Sequence, residues 1–287
     1  MANVLIYKEE WKEKLQERLE EPKYFMDLAK VEYTDTKVMH NPYRDAATAT
    51  ATTRGNQYTV TDINTTDETV DINLYYSSVE FIDKADMAQT GYNDQMDMAE
   101  RQADALMDVV ETAFLAEYAN AGTAIDNATL GGAAGPITLT SANVLEIIRK
   151  AREAIVAGKG LTQFNREGAS IVWTPGQFEK LVAAAQNIGF SQADEALYNG
   201  RVGVYGGFKH FESNLNTSAA GSTYALAFVN KAIHVGILNT TFGDVTVVEN
   251  PDRRSGWDVE SRVDFQTKIW NQKAPLVVSI EVTDATS

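Results

Sequence analysis

The sequence predicts an α+β fold, with strands and helices concentrated in different parts of the chain. Three observations support this prediction. The stretch from Asn41 to Asp83 contains residues that alternate with the period of two typical of strands. The stretch from Asp94 to Asn120 has uninterrupted helical periodicity, and the remainder of the chain contains short apolar runs separated by turn residues.

The composition is that of a folded protein. Of its 287 residues, 44% are hydrophobic and 23% are charged, which is enough apolar material for two modest domains or one large one. No run of about 18 uncharged apolar residues occurs, so no membrane span is expected. The opening residues MANVLIYKEEWKEK become charged early and lack a small-residue cleavage site, so no signal peptide is expected either.

The net charge of −15 and the absence of cysteine exclude several function classes. Binding nucleic acid through its phosphates requires clustered Lys and Arg, which this acidic chain lacks. Without cysteine there is no disulfide, no thiolate metal site and no thiol nucleophile. The acidic excess suits the inner wall of a DNA container, but it suits any acidic cytosolic protein as well.

The N-terminal segment Lys8–Glu21 is predicted to be a highly charged amphipathic helix that ends at Pro22. Its apolar residues recur every four positions and form one narrow stripe: Tyr7, Trp11, Leu15 and Leu19. Two interpretations remain open for this stripe. The helix lies on its own domain, or it is an arm that packs on a neighbouring subunit.

The Thr-rich segment Asn41–Asp83 is predicted to form a long β-hairpin. Nine threonines lie between Thr48 and Thr69, and Arg54-Gly55-Asn56 is a turn signal. We expect two alternating runs, residues 58–63 and 69–76, to pair through a turn at residues 64–67. A two-stranded hairpin is marginally stable alone in water, so it requires a further surface in its own chain or in a neighbour.

The segment Asp94–Asn120 is the clearest helix, about 40 Å long at 1.5 Å per residue. Its apolar stripe is Met96, Ala99, Ala103, Leu106, Val110, Ala113 and Phe114. Asp104, Asp108 and Glu111 share another face. A carboxylate metal site in a helical bundle would include a Glu-x-x-His partner, which is missing, so a solvated acidic face is predicted.

The remaining elements are assigned from their own patterns. Residues 144–157 are predicted to form a helix that ends at Gly158, and Ser170–Trp173 a short strand. Thr174-Pro175-Gly176-Gln177 resembles a capping box that starts another helix. Four later runs are predicted to be strands: Tyr224–Val229, Ile233–Leu238, Val245–Val248 and Leu276–Val282.

A search for catalytic chemistry finds no motif. His40, His210 and His234 show no metal-ligand spacing, and no serine lies in a G-x-S-x-G elbow. The glycine-rich stretch Gly200–Gly207 matches neither a dinucleotide fingerprint nor a phosphate loop, so tight turns between strands are predicted there. Arg253-Arg254 is a compact basic spot in a predicted loop. No catalytic residue, cofactor or metal site is therefore expected.

The order of these parts resembles the major capsid proteins of tailed phages, whose Hong Kong 97-like fold is shared with the encapsulins. The charged segment Lys8–Glu21 resembles the family's N-terminal arm, the Thr-rich hairpin its extended loop, and Asp94–Asn120 its spine helix. The most specific likeness is the strand Ser170–Trp173 followed by Thr174-Pro175, a helix and Asn199-Gly200-x-x-Gly203-x-x-Gly206-Gly207-Phe208. Ser213-Asn214 and the late Ala274-Pro275 also fit.

The resemblance implies a Hong Kong 97-like capsid fold divided into five parts. These are an N-terminal arm (1–40), an extended β-hairpin loop (41–83), a peripheral-domain spine helix (84–122), an axial α/β domain (123–240), and peripheral strands with a C-terminal strand that returns to the axial domain (241–287). Some relatives crosslink a lysine of the extended loop to an asparagine. Residues 41–83 contain no lysine, so this crosslink is not expected.

The resemblance also implies a function, a self-assembling shell of hexamers and pentamers around double-stranded DNA. The expected partners are further copies of the chain, a separate scaffolding protein and a portal, in a virion assembled in the bacterial cytoplasm. We expect five residues at contacts between subunits: Trp11, Leu15, Arg54, Arg253 and Arg254. The alternatives are an encapsulin-type compartment shell and, more remotely, an acidic hydrolase that depends on His210 or His234.

Overall fold

The structure is a computed structural model that describes residues 22–44, 47, 49–55, 57, 64–83, 94–188, 203–216, 218–219, 221–240, 245–250 and 256–283. The α-helices are α1 (Phe25–Leu28), α2 (Asp94–Leu115), α3 (Val144–Ala157), α4 (Leu161–Glu167) and α5 (Pro175–Ile188). Short 3-10 helices span Ala116–Asn120, Asn127–Leu130 and Ala274–Leu276.

Fourteen strands are described, in three sheets. The first seven are β1 (Lys30–Thr34), β2 (Val38–Arg44), β3 (Thr65–Asp71), β4 (Leu74–Asp83), β5 (Thr123–Ile125), β6 (Ala169–Trp173) and β7 (Val204–Tyr205). The others are β8 (Phe208–Glu212), β9 (Ser218–Ala219), β10 (Ser222–Val229), β11 (Ile233–Leu238), β12 (Val245–Asn250), β13 (Gly256–Ile269) and β14 (Val277–Thr283).

The five-stranded sheet is organised around β13. Phe265 in β13 has Leu74 of β4 as its partner in one ladder and Ile237 of β11 in another, so these two strands flank it. β12 pairs with the first half of β13, and β1 pairs in parallel with β11. The long helix α2 packs on this sheet, where the Gln102 amide donates to the Val259 carbonyl and accepts from the Ser261 hydroxyl.

The seven-stranded sheet has the order β5-β14-β10-β6-β8-β7, with β9 beside β10. Every residue of β6 is buried, as expected for a central strand with both faces covered. The rings of Phe114 in α2 and Phe228 in β10 meet edge to face, with centroids 5.5 Å apart. One continuous hydrophobic core therefore includes α2 and residues of both large sheets.

Most predicted elements are confirmed. Among the described residues, the long helix and the helix at residues 144–157 begin and end within a few residues of their predicted bounds, although the last turn of the long helix is a 3-10 helix. At the start of α5 the Gln177 side chain accepts from the Thr174 backbone N–H at 3.2 Å, which is one half of a capping box. The four predicted late strands correspond to β10, β11, β12 and β14.

The predicted hairpin pairing is wrong. Residues 65–67, assigned to its turn, belong to β3, which pairs with β2 (Val38–Arg44) in an antiparallel two-stranded sheet. The predicted run 69–76 is interrupted after Asp71, and β4 joins the five-stranded sheet through β13. Buried Ile72 donates its N–H to the Lys37 carbonyl, which marks where the chain passes from one sheet to the other.

Strand β13 is the longest described strand and was not predicted. Its sequence is charged, yet its burial alternates over much of its length because one face packs beneath α2 while Glu260 and Arg262 face outward. Strand β11, within the expected axial segment 123–240, pairs with β13 in the five-stranded sheet. Strand β14 returns the C-terminal segment to the seven-stranded sheet, between β5 and β10.

Candidate functional site

One exposed feature of the described chain is the two-stranded sheet of β2 and β3, which we call the ribbon. Its register runs from Val38 opposite Asp71 to Arg44 opposite Thr65. Most of its side chains are exposed, and Met39 is its one buried residue. The ribbon therefore exposes side chains that are available for contact with another molecule.

The root of the ribbon is held by a close contact between Met39 and Gly236 of β11. A Cβ atom at Gly236 would overlap the Met39 sulfur, so any larger residue would require this side chain to move. Because Met39 occupies that space, the ribbon is seated on the five-stranded sheet by shape as well as by hydrogen bonds.

Polar contacts add a second attachment. Glu68 Oε2 accepts from the Asn271 backbone N–H at 3.0 Å, and Glu68 Oε1 lies 3.6 Å from Lys268 Nζ. The Gln272 amide donates to the Arg44 carbonyl at 3.4 Å. Within the ribbon, His40 Nδ1 and Asp67 Oδ2 are 2.6 Å apart. The contacts of Glu68 and Arg44 hold the ribbon against residues 268–272 of the body.

A second candidate surface is the place where the chain enters the fold. Lys23 Nζ lies 3.0 Å from Asp104 Oδ1 and 2.5 Å from Asp108 Oδ1, both on α2. The backbone N–H of Phe25 donates to Glu111 Oε2 at 2.9 Å, and the Phe25 side chain is fully buried. Residues 22–29 are therefore clamped onto α2, which sets the origin of the preceding segment.

The prediction of a solvated acidic face on α2 is wrong for Glu111. The residue is completely buried, and burial raises its pKa to about 7, although the backbone N–H groups of Phe25 and Tyr24 and the Lys23 ammonium oppose that rise. Asp104 and Asp108 are partly exposed, and both pair with the single Lys23 ammonium. The pKa of Lys23 is raised despite its burial, because it bonds both carboxylates. The face is an attachment site for the chain's own N-terminal segment.

Of the five expected contact residues, only Arg54 lies among those described. It is exposed in a turn, next to Gly55, whose φ of 97° requires a residue without a Cβ. Trp11, Leu15, Arg253 and Arg254 lie outside the described residues, as does the predicted helix Lys8–Glu21.

The three histidines do not converge on one site. His210 in the seven-stranded sheet accepts from the Trp173 indole N–H at Nδ1, 3.0 Å away, and burial lowers its pKa to about 4. His234 lies in the five-stranded sheet, where burial and the nearby Lys273 and Lys30 lower its pKa to about 3. His40 is on the exposed ribbon. Both buried rings are neutral supports of their sheets near pH 7.

The glycine-rich stretch, where it is described, forms the tight turn that the sequence predicted. Gly206 and Gly207 join β7 to β8 with φ values of 65° and 89°, as a two-residue hairpin turn requires. A Cβ on Gly206 would lie 2.8 Å from Ile148, and one on Gly207 2.8 Å from Phe164. No cluster of metal-ligating side chains occurs among the described residues, and no helix in these ranges is long and apolar enough to cross a membrane.

No protein-family model matches the sequence, and no curated protein matches it. Solved phage structures match the fold over nearly the whole chain. A chain from Mycobacterium phage Che8 has a TM-score of 0.75 at 18% identity, with 98% of both chains covered. The capsid of Cyanophage P-SCSP1u gives 0.73 at 15% identity, covering 98% of this chain and 94% of the other. The mature capsid of bacteriophage PhiM1 gives 0.69 at 13% identity, covering 97% and 93%.

The class of fold is therefore established. This chain has the α+β fold of tailed-phage major capsid proteins, as its sequence resemblance implied. The likeness to encapsulins is not among these findings.

Sequence reasoning missed the residues that attach the two candidate surfaces. Gly236 and Met39 lie in different predicted elements, and no local pattern relates them. Glu111 offered a faint signal, because it precedes Phe114 and Leu115 by one helical turn on a buried stripe. Lys23 follows Pro22, and no sequence pattern relates it to the carboxylates of α2.

Proposed function

We propose that this chain is the major capsid protein of a tailed bacteriophage, whose copies form the hexamers and pentamers of an icosahedral shell around double-stranded DNA. The observation that carries this proposal is the match over 98% of both this chain and a phage chain, joined by matches to phage capsids. A likeness of this extent includes the arrangement of both large sheets and α2, and not one common motif.

The exposed ribbon supports a role in assembly. Two strands with mostly exposed side chains bury too little surface to be stable alone. Obligate subunit interfaces typically bury about 2,000–5,000 Å² in total, and a projecting ribbon is one way to reach such an area from a modest body. In this proposal the ribbon and residues 45–64 form the extended loop that overlies a neighbouring subunit, with Arg54 at its contact.

The clamp on α2 supports a matching role for the N-terminal arm. Because residues 22–29 are held by Lys23, Phe25 and Glu111, the segment that precedes them starts from a defined point on the body. In this proposal Trp11 and Leu15 pack on an adjacent copy, and Arg253 and Arg254 contact another neighbour. The seven-stranded sheet corresponds to the axial domain, and α2 with the five-stranded sheet to the peripheral domain.

The negative net charge also agrees with a role as a container for DNA. A net charge of −15 disfavours tight binding of the shell wall to DNA phosphates, so the enclosed DNA can be packed without sequence-specific contacts. The proposed partners are further copies of this chain, a separate scaffolding protein and a portal.

The decisive experiment is expression of the chain alone and with a candidate scaffolding protein from the same genome. Particle mass is measured by light scattering, and particle shape by negative-stain imaging. Megadalton shells, or rings with five-fold and six-fold symmetry, are the expected result. A stable monomer under all salt, pH and scaffold conditions would overturn the proposal.

Variants test which surfaces carry assembly. Replacing residues 45–64 by a short turn, or Trp11→Ala with Leu15→Ala, is expected to reduce shell yield while the subunit stays folded by circular dichroism. Arg54→Ala is expected to weaken assembly, whereas Arg149→Ala removes an equally exposed arginine from α3 and serves as its matched control. Equal assembly of Arg54→Ala and Arg149→Ala would exclude Arg54 from the contact.

A further inference from the structure

The segment of residues 22–29 is held at its two ends by different kinds of contact. At its end, the Lys231 backbone N–H donates to the Leu28 carbonyl at 2.7 Å, and β1 follows at once. At its beginning, the Tyr24 hydroxyl donates to the Glu212 carbonyl at 2.8 Å, and the remaining polar contacts are made with acidic side chains of α2. The attachment of the first residues therefore depends on the state of those acids.

The carboxyl group of Glu111 is the central group of this attachment. Glu111 is fully buried, and its Oε2 accepts the Phe25 backbone N–H at 2.9 Å. Its other oxygen, Oε1, is also buried and has no hydrogen-bond partner within the described part of the chain. A charged oxygen without a donor in a hydrophobic core costs more free energy than a neutral carboxyl group. The attached geometry therefore favours the protonated form.

The charges next to Glu111 act in the same direction. Asp104, Asp108 and Glu111 lie on successive turns of α2, and the only ammonium bonded to the two aspartates is that of Lys23. One cation therefore serves three carboxyl groups, and ionisation of Glu111 adds a further negative charge that no cation compensates. Lys23 favours ionisation of Glu111, whereas Asp108 opposes it.

Charged groups on the neighbouring elements are exposed or bonded elsewhere. Asp27 of α1 and Glu212 of β8 are exposed. Glu117, which follows α2, accepts from the Thr267 hydroxyl and the Asn120 amide. On β13, Asp264 pairs with Arg262. The strand β10 contributes the apolar ring of Phe228, which packs on Phe114 of α2.

The protonation of Glu111 thus differs between the attached and the detached segment. Burial raises the pKa of attached Glu111 to about 7, because it outweighs the backbone N–H groups of Phe25 and Tyr24. When residues 22–27 detach, water can reach the carboxyl group, and its pKa returns toward the ordinary 4.5. Detachment and loss of the proton are therefore coupled.

We propose that Glu111 is a proton-controlled latch for the N-terminal segment: in its protonated form it holds residues 22–27 on α2, and its ionisation lets them detach more often while Leu28 stays fixed. Burial of the Phe25 side chain keeps the attached state predominant at all pH values, so the latch changes how often the segment opens. The latch holds most tightly below about pH 4.5, weakens as the pH rises toward 7, and is constant above that.

The latch is a property of the single subunit. Its consequence for assembly rests on the proposed function: in a capsid, residues 1–21 would move more freely from the body of the subunit near neutral pH than in acid. A neighbouring subunit would then be reached more often by this part of the chain.

The test is amide hydrogen exchange of the purified, unassembled full-length subunit, followed by mass spectrometry between pH 5 and pH 8. Each rate is divided by the intrinsic exchange rate at the same pH, which gives a protection factor. We expect the protection of residues 24–29 to decrease on the order of 50-fold from pH 5 to pH 8, since the pKa of Glu111 differs between the two states by more than two units. At each pH it should stay below the protection of β10, because a local opening is more frequent than global unfolding.

Two variants assign the effect to Glu111. Glu111→Gln cannot ionise, so the protection of residues 24–29 should change less than about threefold over this pH range. Glu100→Gln removes an exposed carboxylate of the same helix and should keep the wild-type profile.

Two results would overturn the proposal. One is a wild-type protection of residues 24–29 that does not depend on pH, and the other is protection equal to that of β10 at every pH, which would mean that the segment opens only by global unfolding. Both are read from the wild type, so the test stands even if Glu111→Gln fails to fold. Because the subunit is unassembled, failure of the latch is separable from failure of the capsid proposal.

Discussion

The buried carboxylate of Glu111 accepts the backbone N–H of Phe25 at 2.9 Å, which links α2 to the start of the described chain. The contact joins residues 86 positions apart. It places an ionisable group inside the hydrophobic core, at the point where a proposed arm begins.

Glu111→Gln is expected to change how stability depends on pH. Because the folded pKa, about 7, lies above the ordinary value of 4.5, the folded state retains a proton that the unfolded state loses in this range. The contribution of Glu111 is therefore fully present below about pH 4.5 and is lost as the pH rises through 7. The total is roughly 3 kcal/mol. Urea unfolding at pH 5 and pH 8 measures it.

The glutamine variant keeps an acceptor for Phe25 but cannot ionise. The decrease in stability toward pH 8 should be smaller in Glu111→Gln than in the wild type, and Glu100→Gln on the exposed face of α2 controls for loss of a charge. Identical pH profiles for Glu111→Gln and the wild type would show that the buried carboxylate does not titrate in this range.

His210→Asn is expected to have the opposite effect. The folded pKa of His210, about 4, lies below the ordinary 6.5, so its contribution is present above pH 6.5 and lost as the pH falls toward 4. The loss is roughly 3 kcal/mol, and asparagine preserves an acceptor for the Trp173 indole. Between about pH 4.5 and 6.5 the stability of the wild type therefore combines two opposing effects. As the pH rises, the contribution of Glu111 decreases and that of His210 increases. On acidification the free energy of unfolding of His210→Asn should decrease less steeply than that of the wild type. The same decrease in both proteins, measured by urea unfolding at pH 7 and pH 4, would contradict this prediction.

Lys23→Ala is expected to loosen the N-terminal clamp. It leaves Asp104 and Asp108, one helical turn apart, without their shared cation, which should cost about 1–3 kcal/mol for a partly buried network. Hydrogen exchange of residues 24–29 should accelerate more than that of β10. Lys150→Ala is the control, because its pair with Glu153 is exposed and worth less than about 1 kcal/mol. Equal effects of the two variants would refute the clamp.

Gly236→Ala is expected to displace the ribbon. The added methyl group would overlap the Met39 sulfur, and such overpacking typically costs about 1–3 kcal/mol. Met39→Ala should relieve the clash, so the double variant should be more stable than the sum of the single effects. Additive losses would show that Met39 does not occupy this space. Thermal unfolding of the four proteins provides the comparison.

The local elements were largely predictable, because periodicity and turn residues act within a few positions. Val144 to Gly158 and Ser170 to Trp173 carry clear patterns of this kind. The pairing of strands was less predictable. Thr65 was predicted in the turn and Asp71 in a strand of a local hairpin, but their partners in β2 lie more than 20 residues earlier. Strand β13 was missed because polar Ser261 and Thr267 interrupt its buried face and Asp264 is also buried, so the apolar alternation is incomplete.

The sequence by itself determined the α+β class, the long helix, the acidic character and the resemblance to phage capsid proteins. These properties depend on residue type and spacing, which are visible without coordinates. Only the tertiary structure decided that Glu111 is buried beneath Phe25 and that Met39 fills the space at Gly236. Burial and hydrogen bonding depend on which distant segments meet, and that is set by packing of the whole core.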